Sequence, residues 1–415
     1  MPSFSCRLHM AVATVALLAP VGVGADDWPQ FHGPRRDNVS RETGLLDRWP
    51  SGGPARRWTA RGLGDGFSSV AVAGGLIYTT GNIGDKTIIT ALGRDGQVHW
   101  QVANGPAYDR DHPGTRSTPT IEDGRLYHLN ADGDVVCLEA RSGRRLWGAN
   151  ILERFDGRNP TWGLAESLLV DGDRVLCTPG GREVGLAALD KTTGRTVWTC
   201  TGTNEEPGYC SPILVEVGGL RQIVTLLAAS IVGVHAETGR RLWQVPHATR
   251  NGENTSMPLF HEGRLLVSTQ FIGARLLELS VRGEDATARE VWHNEDLNNH
   301  HEGVVRVDGH VYGSSRRGAG GNRWFCLDFA TGQTAFGGRG IGRATATVAD
   351  GRLYLVNHDG LVALVRPRPD RFEAVSQFQI PEGGDGPVWA HPVVSGGRLY
   401  VRHGDLLHCF DVEAR

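Results

Sequence analysis

The stretch Ala188-Leu189-Asp190-Lys191-Thr192-Thr193-Gly194-Arg195-Thr196-Val197-Trp198 decides the fold. It reads as a strand, a Thr-Gly turn and a second strand ending in tryptophan. Cys137–Trp147 and Cys326–Phe336 repeat it with the same eleven-residue spacing. Glu237-Thr238-Gly239 leading to Trp243, and Asp95-Gly96 leading to Trp100, are variants, and Val291-Trp292 closes another copy.

Ahead of these units lies a second recurring piece, a hairpin with glycine in its turn. It spans Val70–Tyr78 around Gly74-Gly75, Thr120–Tyr127 around Asp123-Gly124, and Leu168–Leu176 around Asp171-Gly172. It returns at Leu259–Val267 around Glu262-Gly263, Val304–Tyr312 around Asp308-Gly309, Thr347–Tyr354 around Asp350-Gly351, and Val393–Tyr400 around Gly396-Gly397. A looser copy surrounds Gly218-Gly219. From Gly75 to Gly397 the mean step is 46 residues. Asp-Gly between apolar alternations signals a hairpin, because a type I′ turn needs positive φ at both central residues.

Four short antiparallel strands per period of 40–50 residues make a propeller blade. The sequence therefore predicts an all-β, eight-bladed β-propeller in which each repeat tryptophan covers a seam between blades. The last copy, Cys409-Phe410-Asp411, supplies a third strand with no outer strand after it, while Ala55-Arg56-Arg57-Trp58 is a spare strand with no hairpin before it. We expect residues 55–59 to complete the eighth blade and close the ring, which removes the free edge.

The domain reading follows. Residues 55–415 form the propeller, and 26–54 an N-terminal extension. Residues 1–25 carry the basic start, the apolar Met10–Val23 and the small-residue Val23-Gly24-Ala25 of a signal peptide. The expected product is exported, periplasmic or extracellular, with no transmembrane segment in the mature chain. Lysine plus arginine number 43 against 46 acidic residues, so nothing directs the chain to nucleic acid. Only Lys86 and Lys191 are lysines, which reads first as genome composition. Cys137, Cys326 and Cys409 share one repeat position and read as small core residues. Cys200 and Cys210, across one loop, could be bridged or free.

These residues resemble the PQQ-like (pyrroloquinoline quinone) β-propeller repeat family, whose tryptophan-docking motif Ala188–Trp198 matches whole. Trp28-Pro29-Gln30-Phe31-His32-Gly33-Pro34 is similar to the Trp-Pro-x-Phe-Arg-Gly-Pro segment of secreted members, with His32 in place of arginine. The resemblance implies a fold more than a function, since the family contains quinoprotein alcohol dehydrogenases and an outer-membrane assembly lipoprotein.

Functional groups belong on the face where each first strand begins and where second and third strands join, because all blades converge there. A PQQ-dependent alcohol or sugar dehydrogenase would use Ca²⁺ on the quinone. Trp162 or Trp389 would floor the ring slot, Glu166, Glu302 and Asn254 would serve the cation, and Arg116 or Arg343 would pair with cofactor carboxylates. No Cys-Cys dipeptide of the kind seen in active members is present. His300, His301, Glu302, His358, His391 and His403 form a histidine-rich sector suited to a divalent metal. A hydrolase or lyase has no Gly-x-Ser-x-Gly, paired-carboxylate or phosphate-loop support. The preferred expectation is a non-catalytic binding scaffold for a protein or carbohydrate partner, with loops Asn104–Arg116 and Arg317–Asn322 as rim contacts; the dehydrogenase is the alternative.

Overall fold

A computed structural model describes residues 27–316 and 323–414. The expected signal segment 1–25 and the rim loop Arg317–Asn322 lie outside the described residues. Eight four-stranded antiparallel sheets form the blades of a propeller. The first blade is Ala71–Ala73, Leu76–Ile83, Lys86–Gly93 and Val98–Pro106, running from axis to rim. The only described helix of the α type is one turn, Ile151–Phe155, after the outer strand of blade two.

The ring closes as expected. Arg56–Ala60 pairs antiparallel with Leu406–Asp411 as the outer strand of blade eight, placing Trp58 opposite Cys409 and Arg56 opposite Phe410. The hairpin turns also follow the sequence, with both central residues at positive φ for Gly74-Gly75, Asp123-Gly124, Asp308-Gly309 and Asp350-Gly351. Blade three differs. Its turn is Gly172-Asp173, one residue later than the sequence reading, because Leu169–Asp171 pairs with Arg174–Cys177. There Gly172 alone takes positive φ, at 60°, the requirement of a turn with glycine at its first central position.

The recurrent Thr-Gly turn has a packing reason. The Trp147 indole lies on Gly194 of the next blade, where a Cβ would fall 2.6 Å from the ring, and its N–H donates to the Lys191 carbonyl at 3.0 Å. Trp198 on Gly239 and Ala236 O, Trp100 on Gly143 and Ala140 O, and Trp292 on Gly332 and Phe329 O repeat the arrangement. Trp58 on Gly96 and Arg94 O carries it across the closure. Each tryptophan thus ties its blade to the next by apolar burial and one hydrogen bond. Trp243 departs from the rule. Blade five replaces the Thr-Gly turn by the long hairpin Gly273–Arg282 and Asp285–Asn294, so Trp243 folds over Gly233 in its own blade and donates to Gln222 Oε1.

The six described cysteines are buried and free, Cys200 and Cys210 included. Three histidines are buried in the blades: His128, His247 and His408. Burial pushes them down to about 3, 3 and 4. Each stays neutral in the fold while the unfolded chain takes up its proton below about 6.5, so stability rises with pH between roughly 4 and 6.5 and is lost on acidification. At pH 5.5 the expected loss is about 1 kcal/mol per histidine. Urea unfolding at pH 7.0 and 5.5 measures it, and His128→Asn should flatten the dependence; a pH-independent midpoint would contradict the assignment.

Candidate functional site

The propeller axis is filled by the chain itself. Trp28 forms a bridge with Val72 in blade one, and the Pro29 carbonyl accepts from Ile121 N in blade two. Phe31 then packs toward the core shared by blades four and five. Arg36, buried, spans the centre, donating Nη1 to the carbonyls of Ser167 (3.1 Å) and Pro212 (3.0 Å), Nη2 to that of Leu168, and Nε to Gln30 Oε1 at 2.9 Å. Asn38 reaches the other side, bonding Ala346 O and His391 Nδ1, and Val39 runs parallel to Val348 of blade seven. Glu42 then caps the backbone N–H groups of Gly396 and Gly397 on the hairpin face. Residues 28–40 are therefore an internal plug, set by the Trp-Pro-Gln-Phe-His-Gly-Pro motif. Sequence reading missed Arg36, whose one signal was its place directly after that motif.

On the opposite face lies a polar cluster centred on Glu302, whose side chain is 1% exposed. Arg343 Nε donates to Glu302 Oε1 at 2.7 Å, His358 Nε2 lies 3.2 Å from the same oxygen and His301 Nε2 3.8 Å. The His300 backbone N–H donates to Oε2 at 3.1 Å. Burial opposes the charge on Glu302, but His358 and the Arg343 guanidinium hold its carboxyl well below the usual range. Burial keeps His301 well below its ordinary value and brings His300 down to about 4. Trp389 packs near His301, Phe67 and His112 with ring centroids 4.7, 4.6 and 5.1 Å away, and its indole N–H donates to His358 Nδ1 at 3.1 Å.

The structure thus gathers His300, His301, Glu302, His358, Arg343 and Trp389 and separates the rest. His391 is committed at both ring nitrogens, to Asn38 and to the His301 carbonyl at 3.0 Å, and fastens the plug to the ring. His403 bonds the Gly386 carbonyl away from the cluster. Glu166 is turned inward, accepting from the Thr178 N–H and hydroxyl, both at 2.7 Å, and burial raises its carboxyl to about 7. The Asn254 amide is spent on the carbonyls of Leu227, Ala228 and His247. Trp162 lies against Tyr209. Arg116 bonds the carbonyls of Gly114, Asp111 and His112 and covers Tyr108, so it pins its own loop. Neighbouring sites that the sequence left unmarked are Glu253, 3.5 Å from His300 Nε2, and Phe67.

These side chains do not fit a quinone with its cation. The acid and amide expected to hold Ca²⁺ are consumed by the fold, and Trp389 is already flanked by rings. The internal pocket lined by Tyr108, Arg116, Ser117, His128 and Asn130 has about 10 Å³, room for about one water molecule.

Comparison with known proteins agrees with the fold. The outer membrane protein assembly factor BamB of Salmonella typhimurium is 28% identical over 138 residues, 32% of this chain and 31% of that protein. The quinoprotein alcohol dehydrogenase PedH of Pseudomonas putida is 27% identical over 143 residues, 32% of this chain and 23% of that one. The matches thus span about a quarter to a third of these relatives' length. Among solved structures, BamB from Moraxella catarrhalis superposes with a TM-score of 0.60 at 14% identity, covering 87% of this chain and 98% of that one. The quinohemoprotein alcohol dehydrogenase ADHIIG from Pseudomonas putida HK5 gives 0.67 at 14% identity, covering 94% and 81%. The PQQ-repeat family model described as outer membrane protein assembly factor BamB matches residues 52–164 and 85–337. With its repeats, its blades and this match over more than half its length, the chain belongs to that PQQ-repeat propeller family.

Proposed function

We propose that the protein is a non-catalytic binding scaffold that presents the face opposite the hairpins to a protein partner in an exported compartment. One observation carries this reading: the chain's own residues 28–40 occupy the axis, where Arg36 and Asn38 are bonded to carbonyls of the surrounding blades. The rim offers contact residues instead. Phe271, between the second and third strands of blade five, is 51% exposed and sits at φ 76°. A bulky residue held left-handed costs on the order of 1–2 kcal/mol, so its display to solvent calls for a role outside the fold. Ile83, 38% exposed, ends the second strand of blade one beside the corresponding turn on the same face. An assembly factor among the relatives supports a protein partner and an exported location; the quinoprotein dehydrogenases among them make PQQ the ligand to test.

Purified protein titrated with PQQ and Ca²⁺, followed by absorbance and by dye reduction with an alcohol panel, should show no saturable binding at about ten micromolar, well within the affinities at which cofactor sites load. Saturable binding with turnover would overturn the scaffold reading in favour of the dehydrogenase.

A further inference from the structure

We propose that His301, Glu302 and His358 hold one divalent transition-metal ion on the face opposite the hairpins, with His300 and Glu253 as its outer hydrogen-bond relay. Ring nitrogens of the two histidines and a carboxylate oxygen of Glu302 lie within 4.8 Å of one another. Two His nitrogens and one carboxylate leave a four-coordinate ion one open position and favour Zn²⁺ or a similar ion over Ca²⁺ or Mg²⁺.

The hydrogen-bond geometry around this triad adds to it. His300 Nδ1 and His301 Nδ1 are 2.9 Å apart, so one proton lies between them. If neutral His300 provides it, His300 Nε2 is bare and faces Glu253 Oε2 at 3.5 Å. If neutral His301 provides it, His301 Nε2 is bare and faces Glu302 Oε1 at 3.8 Å. Either choice sets a lone pair against a carboxylate, and both Nε2 atoms are buried without a hydrogen-bond partner. A cation on His301 Nε2 resolves the mismatch. His301 then donates Nδ1–H to His300, whose Nε2–H donates to Glu253, giving the ligand an acceptor chain that ends in a carboxylate, the usual support of a metal-bound imidazole.

Two contacts belong to the ion-free state. Arg343 supplies the positive charge on Glu302 that an ion would replace. The Trp389 indole donates to His358 Nδ1, which places the His358 proton on Nε2. Binding therefore breaks the Trp389 bond and moves that proton to Nδ1, leaving Nε2 bare for the ion. Removing the indole donor should help rather than harm.

Chelator-treated protein titrated with Co²⁺ tests this through its visible absorption, with Zn²⁺ as competitor. The expected result is one ion per chain with a tetrahedral-type spectrum, weakened about 100-fold or more in His301→Ala and in the isosteric Glu302→Gln, unchanged in His403→Ala, and tightened several-fold in Trp389→Phe. Circular dichroism confirms that each variant is folded; should His301→Ala unfold, Glu302→Gln decides. Sub-stoichiometric binding to the intact protein, full affinity in Glu302→Gln, or binding in Trp389→Phe no tighter than in the intact protein would overturn the site.

Discussion

A chain lacking residues 27–60 should show no cooperative unfolding transition at temperatures where the intact protein is native. The segment does two jobs at once. Its first half fills the axis with Trp28, Arg36 and Asn38, and its last five residues are the outer strand of blade eight. Between them Leu45 and Trp49 are buried in the core shared by blades seven and eight, where Trp49 meets Tyr354 and Phe378. Two buried tryptophans and a leucine account for on the order of 10 kcal/mol by apolar area alone, as much as a typical domain's whole net stability of about 5–15 kcal/mol. The deletion also strips the ladder from Leu406–Asp411 and exposes an edge. Deleting only 27–40 keeps Trp49 and the closing strand, so a weakened transition should survive, lower by about 5 kcal/mol. Calorimetry and urea titration of both forms measure this, and a full-height transition at the original temperature in the longer deletion would refute it.

The blades were legible in the sequence because each is local. A hairpin turn and a Thr-Gly turn are set by residues a few positions apart, and their recurrence fixes the number of sheets. Closure was legible for a related reason: Arg56–Ala60 had a strand pattern with no local partner, and Leu406–Asp411 lacked one. The Gly172-Asp173 turn was misplaced by one residue because Asp171-Gly172 carries the stronger type I′ signal, and only pairing with Arg174–Cys177 decides the register.

The centre of the ring was far less legible. Arg36 meets carbonyls more than 130 residues away, and nothing in its own neighbourhood announces that. The histidine-rich sector was visible as composition on one face, but composition cannot separate His391, which bonds the plug, from His301 and His358, which surround a carboxylate. Glu166 and Asn254 illustrate the same limit. Both have the chemistry of cation ligands and the right position along the repeat, yet rotamer and partner turn them inward. The arginine excess, read first as composition, includes two side chains that work as internal cross-links, Arg36 and Arg402.

Replacing Arg402 by alanine should cost about 3–5 kcal/mol. Arg402, in Arg398–His403 of blade eight, is 2% exposed. Its guanidinium makes no ion pair among the described residues; it donates to Thr79 Oγ1 at 2.6 Å and to the carbonyls of Gly404, Gly64, Thr80 and Leu63 at 2.8, 2.9, 3.2 and 3.4 Å. Four of these five acceptors belong to blade one or to the segment leading into it, so this side chain joins the last blade to the first. Burial is unfavourable to its charge and lowers its pKa to about 10. That penalty disappears in the alanine variant, and so do five hydrogen bonds to a charged donor, each worth roughly 1.5–3 kcal/mol in place. The Thr80 carbonyl keeps the Thr115 hydroxyl as a donor; the carbonyls left buried without one decide the balance, because each costs about 1–3 kcal/mol, offset only as far as water enters the space vacated. Arg402→Met separates the effects, since it removes the charge but fills the volume: without room for water it should be no more stable than alanine despite its larger apolar surface. Arg402→Lys should recover less than half of the loss, because one ammonium cannot reach acceptors arranged for a planar fork. Urea unfolding of the three variants at pH 7 gives the values, and a loss below 1 kcal/mol for alanine would mean that the seam tryptophans and the closing strand hold blades eight and one together without this cross-link.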